Sequence, residues 1–481
     1  MDIKITRFIE KFSDEIRNEN GAIFAGAGLS VPSGFVDWSS LLKPLAEEIG
    51  IDVDKERDLV SIAQYYKNET GNRSGISNRI ISEFSKATAI PENHKILSRL
   101  PISTYWTTNY DSLIEDSLKA ASKVVDVKYT VKQLAITKPK RDAVVYKMHG
   151  DKEHPSEAII LKEDYELYRD NYAPFITALS GDLISKTFLF IGFSFNDPNL
   201  DYILSRIRVN YGESQRTHYA FVKRVLEIEC EDKAEFDYLN TKQKLFLNDL
   251  KRYNIQALLI DNYSEITKIL QLIERNINHN SIFISGSANS YGDWSEEEAK
   301  AFISKLSAEM IKRDNKIVSG FGLGVGSYVI SGALNEIYMN KKIINSDSLI
   351  LRPFPQGAAD GINLKDLWKK YREDMIALSG ISIFIFGNKI DENGAIISAN
   401  GVHSEFEISL NKSNIIVPVG ITGYASEEIW NEINSNYSKY YPKSTGRMKE
   451  LFADLNNIKK KECLIKTIIE FIDEAKKSCI S

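Results

Sequence analysis

Four short polar or glycine-rich stretches in the first half of the 481-residue chain carry side chains with distinct chemistries: Gly26-Ala27-Gly28-Leu29-Ser30, Thr107-Thr108-Asn109-Tyr110-Asp111, His149-Gly150-Asp151 and Gly192-Phe193-Ser194. Gly26 and Gly28 let backbone approach a phosphate closely, and a helix start behind them would offer unpaired N–H groups to an anion. Asn109 has both a donor and an acceptor and stands at the C-terminal end of an expected strand, where open α/β sheets bind ligands. His149 can accept a proton near neutral pH. Each also has a plain structural reading. The glycines suit a tight turn, Asn109 a turn, and His149 a satisfied core position. Asp111 suits an N-cap, or Ser112 and Glu115 the S-x-x-E capping box.

A second group lies in the other half. Gly320, Gly322, Gly324 and Gly326 alternate along "VSGFGLGVGS", and "FISGSA" places Gly286 between the hydroxyls of Ser285 and Ser287. The alternation is not G-x-G-x-x-G, because residue 325 is Val, but it suits a backbone nest for a phosphate or ribose. Arg352, Arg372, Lys389 and Glu405 lie around these loops in sequence. Arg and Lys would suit phosphates, and Glu ribose hydroxyls or adenine. Singly, each also reads as a solvated charge, and His403 as part of a helix start.

These residues need a scaffold to converge. Apolar runs predict strands over 22–28, 103–108, 143–149, 186–195, 217–223 and 255–261, and then over 281–290, 315–327, 348–357, 381–389 and 414–420. Amphipathic helical patterns separate them. Strands apolar on both faces, alternating with helices, imply parallel sheets covered on both sides. In "DWSSLLKPLAEEIG", Trp38, Leu41, Leu42, Leu45 and Ile49 share one face, and Pro44 is expected in the first turns. The helical run 264–277 ends in "NHNS", and a new strand begins at 281. The expected fold is therefore α/β, two Rossmann-like parallel-sheet domains in series, residues 1–279 and 280–481.

Composition narrows the function. A net charge of −5 gives no electrostatic footprint for nucleic acid. No apolar run reaches the roughly 18–20 residues of a membrane span. The first residues, with Ile5, Phe8, Ile9, Phe12 and Ile16 at helical spacing among charges, do not read as a signal peptide. Cys230, Cys463 and Cys479 form no CxxC pair, so neither a zinc module nor a disulfide framework is expected. The expectation is a reduced, cytoplasmic protein without a bound metal.

In their order and spacing the first four stretches resemble the sirtuin-like NAD-binding domain, over roughly residues 8–278. "GAGLS" matches its nucleotide loop, "TTNYDSLIE" its T-x-N-x-D signature, "MHGD" its His-Gly, and "GFSFNDPNL" its G-x-S loop. The resemblance implies NAD+ as substrate, not prosthetic group, surrounded by Ala25, Gly26, Ser30, Asp111, Gly192 and Ser194, with Asn109 and His149 catalytic. Two departures matter. The Cys₄ zinc module of the protein deacylases cannot be built from three isolated cysteines. The loop after "GAGLS" reads "VPSGFVDW", without the deacylase arginine. Both favour NAD+ hydrolysis over deacylation.

The second half resembles the SLOG family of nucleotide-sensing domains, over roughly residues 281–475, through "ISGSA", "VSGFGLGVGS" and "GVHSEF". By that resemblance Gly286, Ser287, Gly322, Gly324, Arg372, Lys389 and Glu405 would contact an activator. The ordered pair is similar to the effectors of bacterial Thoeris anti-phage defence. This implies an NAD+ nucleosidase that depletes cellular NAD, activated by a cyclic ADP-ribose isomer from a partner TIR-domain enzyme. It also implies a homo-oligomer, tetramer or higher. An NAD-dependent ADP-ribosyltransferase or deacylase, and a non-catalytic nucleotide sensor, are the competing readings.

Overall fold

The computed structural model describes residues 3–53, 55–56, 58–339, 348–354 and 364–480. One compact unit ends at Glu274 and a second begins at Arg275, inside the helix Ser264–Asn278. The first unit holds seven parallel strands: β1 Gly21–Ala25, β2 Thr104–Thr107, β3 Val125–Lys128, β4 Ala143–Lys147, β5 Thr187–Ile191, β6 His218–Lys223 and β7 Ile255–Ile260. Their order across the sheet is β3-β4-β2-β1-β5-β6-β7. β1 and β5 are buried along their whole length, as apolar strands covered on both faces must be. The chain leaves β1 for β2 on one side and later returns to β5 on the other. The ends of β1, β2 and β5 therefore flank a topological switch point, where open α/β sheets bind ligands.

Four local expectations needed correction. β3 was not foreseen, because Asp126 and Lys128 make "VDVK" a poor strand by composition. It is an edge strand, and the Asp126 carboxylate pairs with Lys128 at 2.7 Å and Arg141 at 2.9 Å. Pro44 lies in the second turn of the helix Trp38–Glu48, not at its start. The missing N–H would have bonded the carbonyl of Ser40, which is exposed, so water can take its place. No capping box forms at 112–115. Asp111 Oδ1 accepts the Leu113 N–H at 3.0 Å, while Glu115 is drawn away to Lys147. Finally, no α-helix follows the GAG turn directly. Two short 3₁₀ turns, Ala27–Leu29 and Val31–Ser33, intervene before Asp37 caps the helix at Trp38.

Among the described residues the second unit has five parallel strands in the order β10-β9-β8-β11-β14, where β8 is Ser281–Ser285, β9 Lys316–Ser319, β10 Leu349–Leu351, β11 Ile381–Phe384 and β14 Ile415–Pro418. The expected strand 381–389 is broken. Phe386 and Gly387 take positive φ (54° and 99°), and the chain turns into an antiparallel hairpin, β12 Asn388–Ile390 with β13 Ile396–Ser398. The strand expected over 348–357 is short, and residues 355–357 lie outside the described residues. No helix among the described residues is long and apolar enough to cross a membrane.

Candidate active site and nucleotide loops

Sheet register places the two catalytic candidates. Thr107 and Lys147 are register partners on adjacent strands, which run about 4.8 Å apart. Asn109 and His149 each follow two residues later, so they leave neighbouring strand ends at the same level. Thr107 donates its hydroxyl to the Ala25 carbonyl at 3.0 Å and accepts the Asn109 N–H at 2.9 Å. The Asn109 amide then donates to the Gly26 carbonyl at 3.1 Å and the Ser30 hydroxyl at 3.2 Å. Both donors are thereby used within the protein, and the carbonyl oxygen is the end of Asn109 left to address a substrate.

The GAG turn is glycine-rich for a reason the sequence did not reveal. A Cβ on Gly26 would run into the Gly192 carbonyl, and one on Gly192 (φ 65°) into the Leu29 amide. Gly28 donates its N–H to the Gly192 carbonyl at 3.0 Å. Gly26, Gly28 and Gly192 thus let the β1 and β5 loops lie backbone against backbone. Ala25, Gly26, Ser30, Asn109 and Gly192 form one constellation. Asp111 spends one oxygen on its own helix, and the other is buried. Ser194 is exposed.

His149 is buried, with Nε2 3.0 Å from Asp197 Oδ2. The contact is an ion-pair approach, and Nε2 makes no hydrogen bond. Asp197 Oδ1 accepts the Leu200 N–H at 2.8 Å and caps the helix Pro198–Tyr211. Burial alone would raise the Asp197 pKa; the nearby His149 and the backbone hydrogen bonds from Leu200 and Asn199 outweigh it and hold the carboxyl below its ordinary range. Behind both strand ends sits Lys147, fully buried. Its ammonium bonds Glu115 at 3.0 Å, Asp151 at 2.6 Å, and the Asp111 and Tyr110 carbonyls at 2.5 and 3.2 Å. Burial opposes the charge, but Glu115, Asp151 and Asp111 raise its pKa and keep it. Lys147 therefore ties the loop bearing Asn109 to the strand bearing His149. Neither Asp197 nor Lys147 was singled out from sequence. The signal for Lys147 was a lysine closing a strand that is otherwise apolar.

Two other buried histidines bear on stability, not chemistry. Burial pushes His94 down to about 4, partly offset by the Asp111 charge, and His218 down to about 3, helped by Arg216. His218 stays neutral as its Nδ1 accepts the Phe188 N–H at 3.1 Å. Such groups take up protons only once unfolded. Their stabilisation is complete above the unfolded value near 6.5 and shrinks as pH falls toward the folded values. The first unit should lose roughly 2 kcal/mol per histidine between pH 7 and 5. Hydrogen-exchange protection of β1 and β5 reads this directly; unchanged protection at pH 5 would contradict it.

In the second unit, three loops meet at the ends of β8, β9 and β11. A Cβ on Gly286 would strike the Ile385 carbonyl, one on Gly322 the Gly286 carbonyl, and one on Gly324 (φ 71°) the Ala288 carbonyl. Ala288 donates its N–H to the Leu323 carbonyl at 2.7 Å. The glycine row accordingly has a packing reason of its own. Glu405 is buried; it accepts the Ser285 hydroxyl at 2.6 Å and lies 3.5 Å from Arg372 Nε. Burial raises its pKa, opposed by Ser285 and Arg372. The guanidinium also stands 4.9 Å above the Phe354 ring. The Ser287 hydroxyl donates to the Asn388 carbonyl at 3.0 Å, and the Asn388 side chain accepts the Asn289 and Ser290 N–H groups. Ser285, Arg372 and Glu405 are thus one cluster, while Lys389 is exposed on β12. Arg352 bonds Ser319 through its backbone, and His403 pairs with Glu428 at 2.8 Å. Phe354 and Asn388 are site neighbours that sequence reading missed.

A sheet with these strand-end loops, followed by a second parallel sheet with its own, defines a SIR2-like domain joined to a SLOG domain. Residues 103–250 match the SIR2-like domain, and residues 265–475 the Sir2- and TIR-associating SLOG family. The chain is 57% identical to the NAD(+) hydrolase ThsA of Bacillus cereus (strain MSX-D12) over 97% of each chain. It is 46% identical to that of Acinetobacter baumannii (strain 532279), covering 93% of this chain and 94% of that one. Defense-associated sirtuin 2 of Bacillus subtilis is 28% identical over 43% of this chain and 21% of its own. The chain belongs to the ThsA family of NAD(+) hydrolases.

Proposed function

We propose that the first unit hydrolyses the nicotinamide–ribose bond of NAD+, and that the second unit gates this activity by binding a cyclic ADP-ribose isomer. The observation that carries the first part is the placement of Asn109 and His149 on neighbouring strand ends of a SIR2-like sheet, in a chain of this family. As the bond to nicotinamide breaks, the ribose becomes oxocarbenium-like. The Asn109 carbonyl orients the ribose or the attacking water, and His149 accepts the proton that the nucleophile gives up. Ala25, Gly26, Ser30 and Gly192 line the approach. NAD+ is consumed as substrate, and the chemistry needs no zinc.

The gating half rests on the Ser285–Glu405–Arg372 cluster. Glu405, bonded to Ser285 at the end of β8, stands 3.5 Å from the guanidinium, where phosphates of the cyclic ligand would find it. Gly286, Ser287, Gly322, Gly324 and Lys389 complete the proposed site. A TIR-domain partner enzyme would supply the isomer on infection, and NAD depletion in the cytoplasm would be the defence. A homo-oligomer, tetramer or higher, would let the ligand choose between assemblies by differential affinity.

The test is nicotinamide release by the full-length chain with and without cyclic ADP-ribose isomers. Release that depends on one isomer supports the reading. NAD+ binding without release under every condition would instead make the chain a nucleotide sensor, and mass added to a protein acceptor would make it a transferase. Arg372→Ala is expected to raise the isomer concentration needed for half-activation by about tenfold or more, the worth of a charge-assisted contact, with the saturated rate retained. An unchanged activation curve removes Arg372 from the site.

A further inference from the structure

Asp197 has no role in the reading above beyond its contact with His149, yet three features distinguish it from an ordinary helix cap. Its two oxygens are divided between two tasks: Oδ1 caps the helix Pro198–Tyr211 through Leu200, and Oδ2 faces His149 Nε2. The cap orients the carboxylate, so the imidazole is met by a group that the fold already holds in place. Tyr165 closes the third side, edge-on to the His149 ring at 5.7 Å and 89°, with its hydroxyl 3.4 Å from the same Oδ2. His218, the buried histidine of the same sheet with no catalytic assignment, is satisfied by a backbone N–H instead. A buried carboxylate is costly unless paired, and a histidine needing only satisfaction can use the backbone.

We propose that Asp197 is a positioning residue for NAD+ hydrolysis: it holds Nε2 of His149, leaving Nδ1 to accept the proton. The proposal rests on the reading of His149 as the proton acceptor. In the step, the bond from ribose C1′ to the nicotinamide nitrogen breaks, and its electron pair neutralises the pyridinium. Water oxygen forms the new bond to C1′ and yields its proton to Nδ1, from which it passes to solvent. The imidazolium formed is stabilised by the Asp197 carboxylate at Nε2, as in carboxylate–histidine pairs generally. Asp197 is the acidic group in ion-pair reach of His149 among the described residues. The other titratable groups around the pair are the phenols of Tyr165, Tyr110 and Tyr168, each raised first by burial and further by the Asp197 charge.

Asp197→Asn and Asp197→Ser both keep an N-cap acceptor for Leu200 but remove the charge. With full-length chain, NAD+ and the isomer that activates the wild type, kcat should fall about 10-fold or more, while KM changes little. The kcat–pH profile should change in both variants, because the carboxylate that faces Nε2 is gone. Wild-type kcat and an unmoved profile in both variants would overturn the proposal and leave Asp197 a helix cap. Full turnover in His149→Gln would overturn the underlying reading instead, and the proposal with it.

Discussion

His149→Gln is expected to cut nicotinamide release by about 10²–10⁴-fold, the usual worth of a positioned acid–base group. The fold should remain. Glutamine offers an amide donor to the buried Asp197 carboxylate, so the charge at the start of the helix Pro198–Tyr211 is not left without a partner. Alanine would confound loss of chemistry with the cost of exposing that carboxylate to an apolar pocket. Asn109→Ala should act on the same step by another route. It removes the carbonyl proposed to address the substrate and also the two donations that hold Gly26 and Ser30. Measured together at saturating NAD+, both variants should bind substrate and fail to turn it over. Rapid turnover by His149→Gln would mean that another base does the work.

Lys147→Met is expected to destabilise the first unit by about 3–5 kcal/mol, the cost of stranding buried ionic partners. Glu115 and Asp151 would both keep their place in the interior without the ammonium that compensates them. The Tyr110 and Asp111 carbonyls would lose a donor as well. Denaturant unfolding followed by exchange of the β2 and β4 amides measures the effect. Adding Glu115→Gln and Asp151→Asn to Lys147→Met should recover part of it, since neutral groups no longer need a counter-charge. An unchanged midpoint would show that the network contributes little. The functional consequence follows from geometry. The ammonium is what fixes the loop of Asn109 against the strand of His149, so variants that still fold should release nicotinamide more slowly.

The central strands, the series of two α/β units and the strand-end positions of Asn109 and His149 were legible because their signals are local. Apolar runs such as "AIFA" and "TFLFI" are buried on both faces and declare themselves by composition. The order of GAG, T-x-N-x-D, H-G and G-x-S along the chain was enough to single out Asn109 and His149. Local signals also misled. "VDVK" hid an edge strand behind two charges that pair with each other, and Glu115 stood at capping-box spacing but was claimed by Lys147.

By itself the sequence determined which side chains are available and at which strand ends they sit, because those follow from hydrophobic periodicity and from turn residues next to it. Only the tertiary structure decided who meets whom. The strand order β3-β4-β2-β1-β5-β6-β7 brings the loop after β5 to the loop after β1, which is why Gly26, Gly28 and Gly192 must all be glycine. The same fold sets Asp197 against His149 and Lys147 beneath Asp111. In the second unit it sets Phe354 beneath Arg372 and Glu405 beside it. These partners come from distant parts of the chain. Their meeting depends on sheet order and register, which are settled by the packing of the whole unit and leave no trace in any short stretch of sequence.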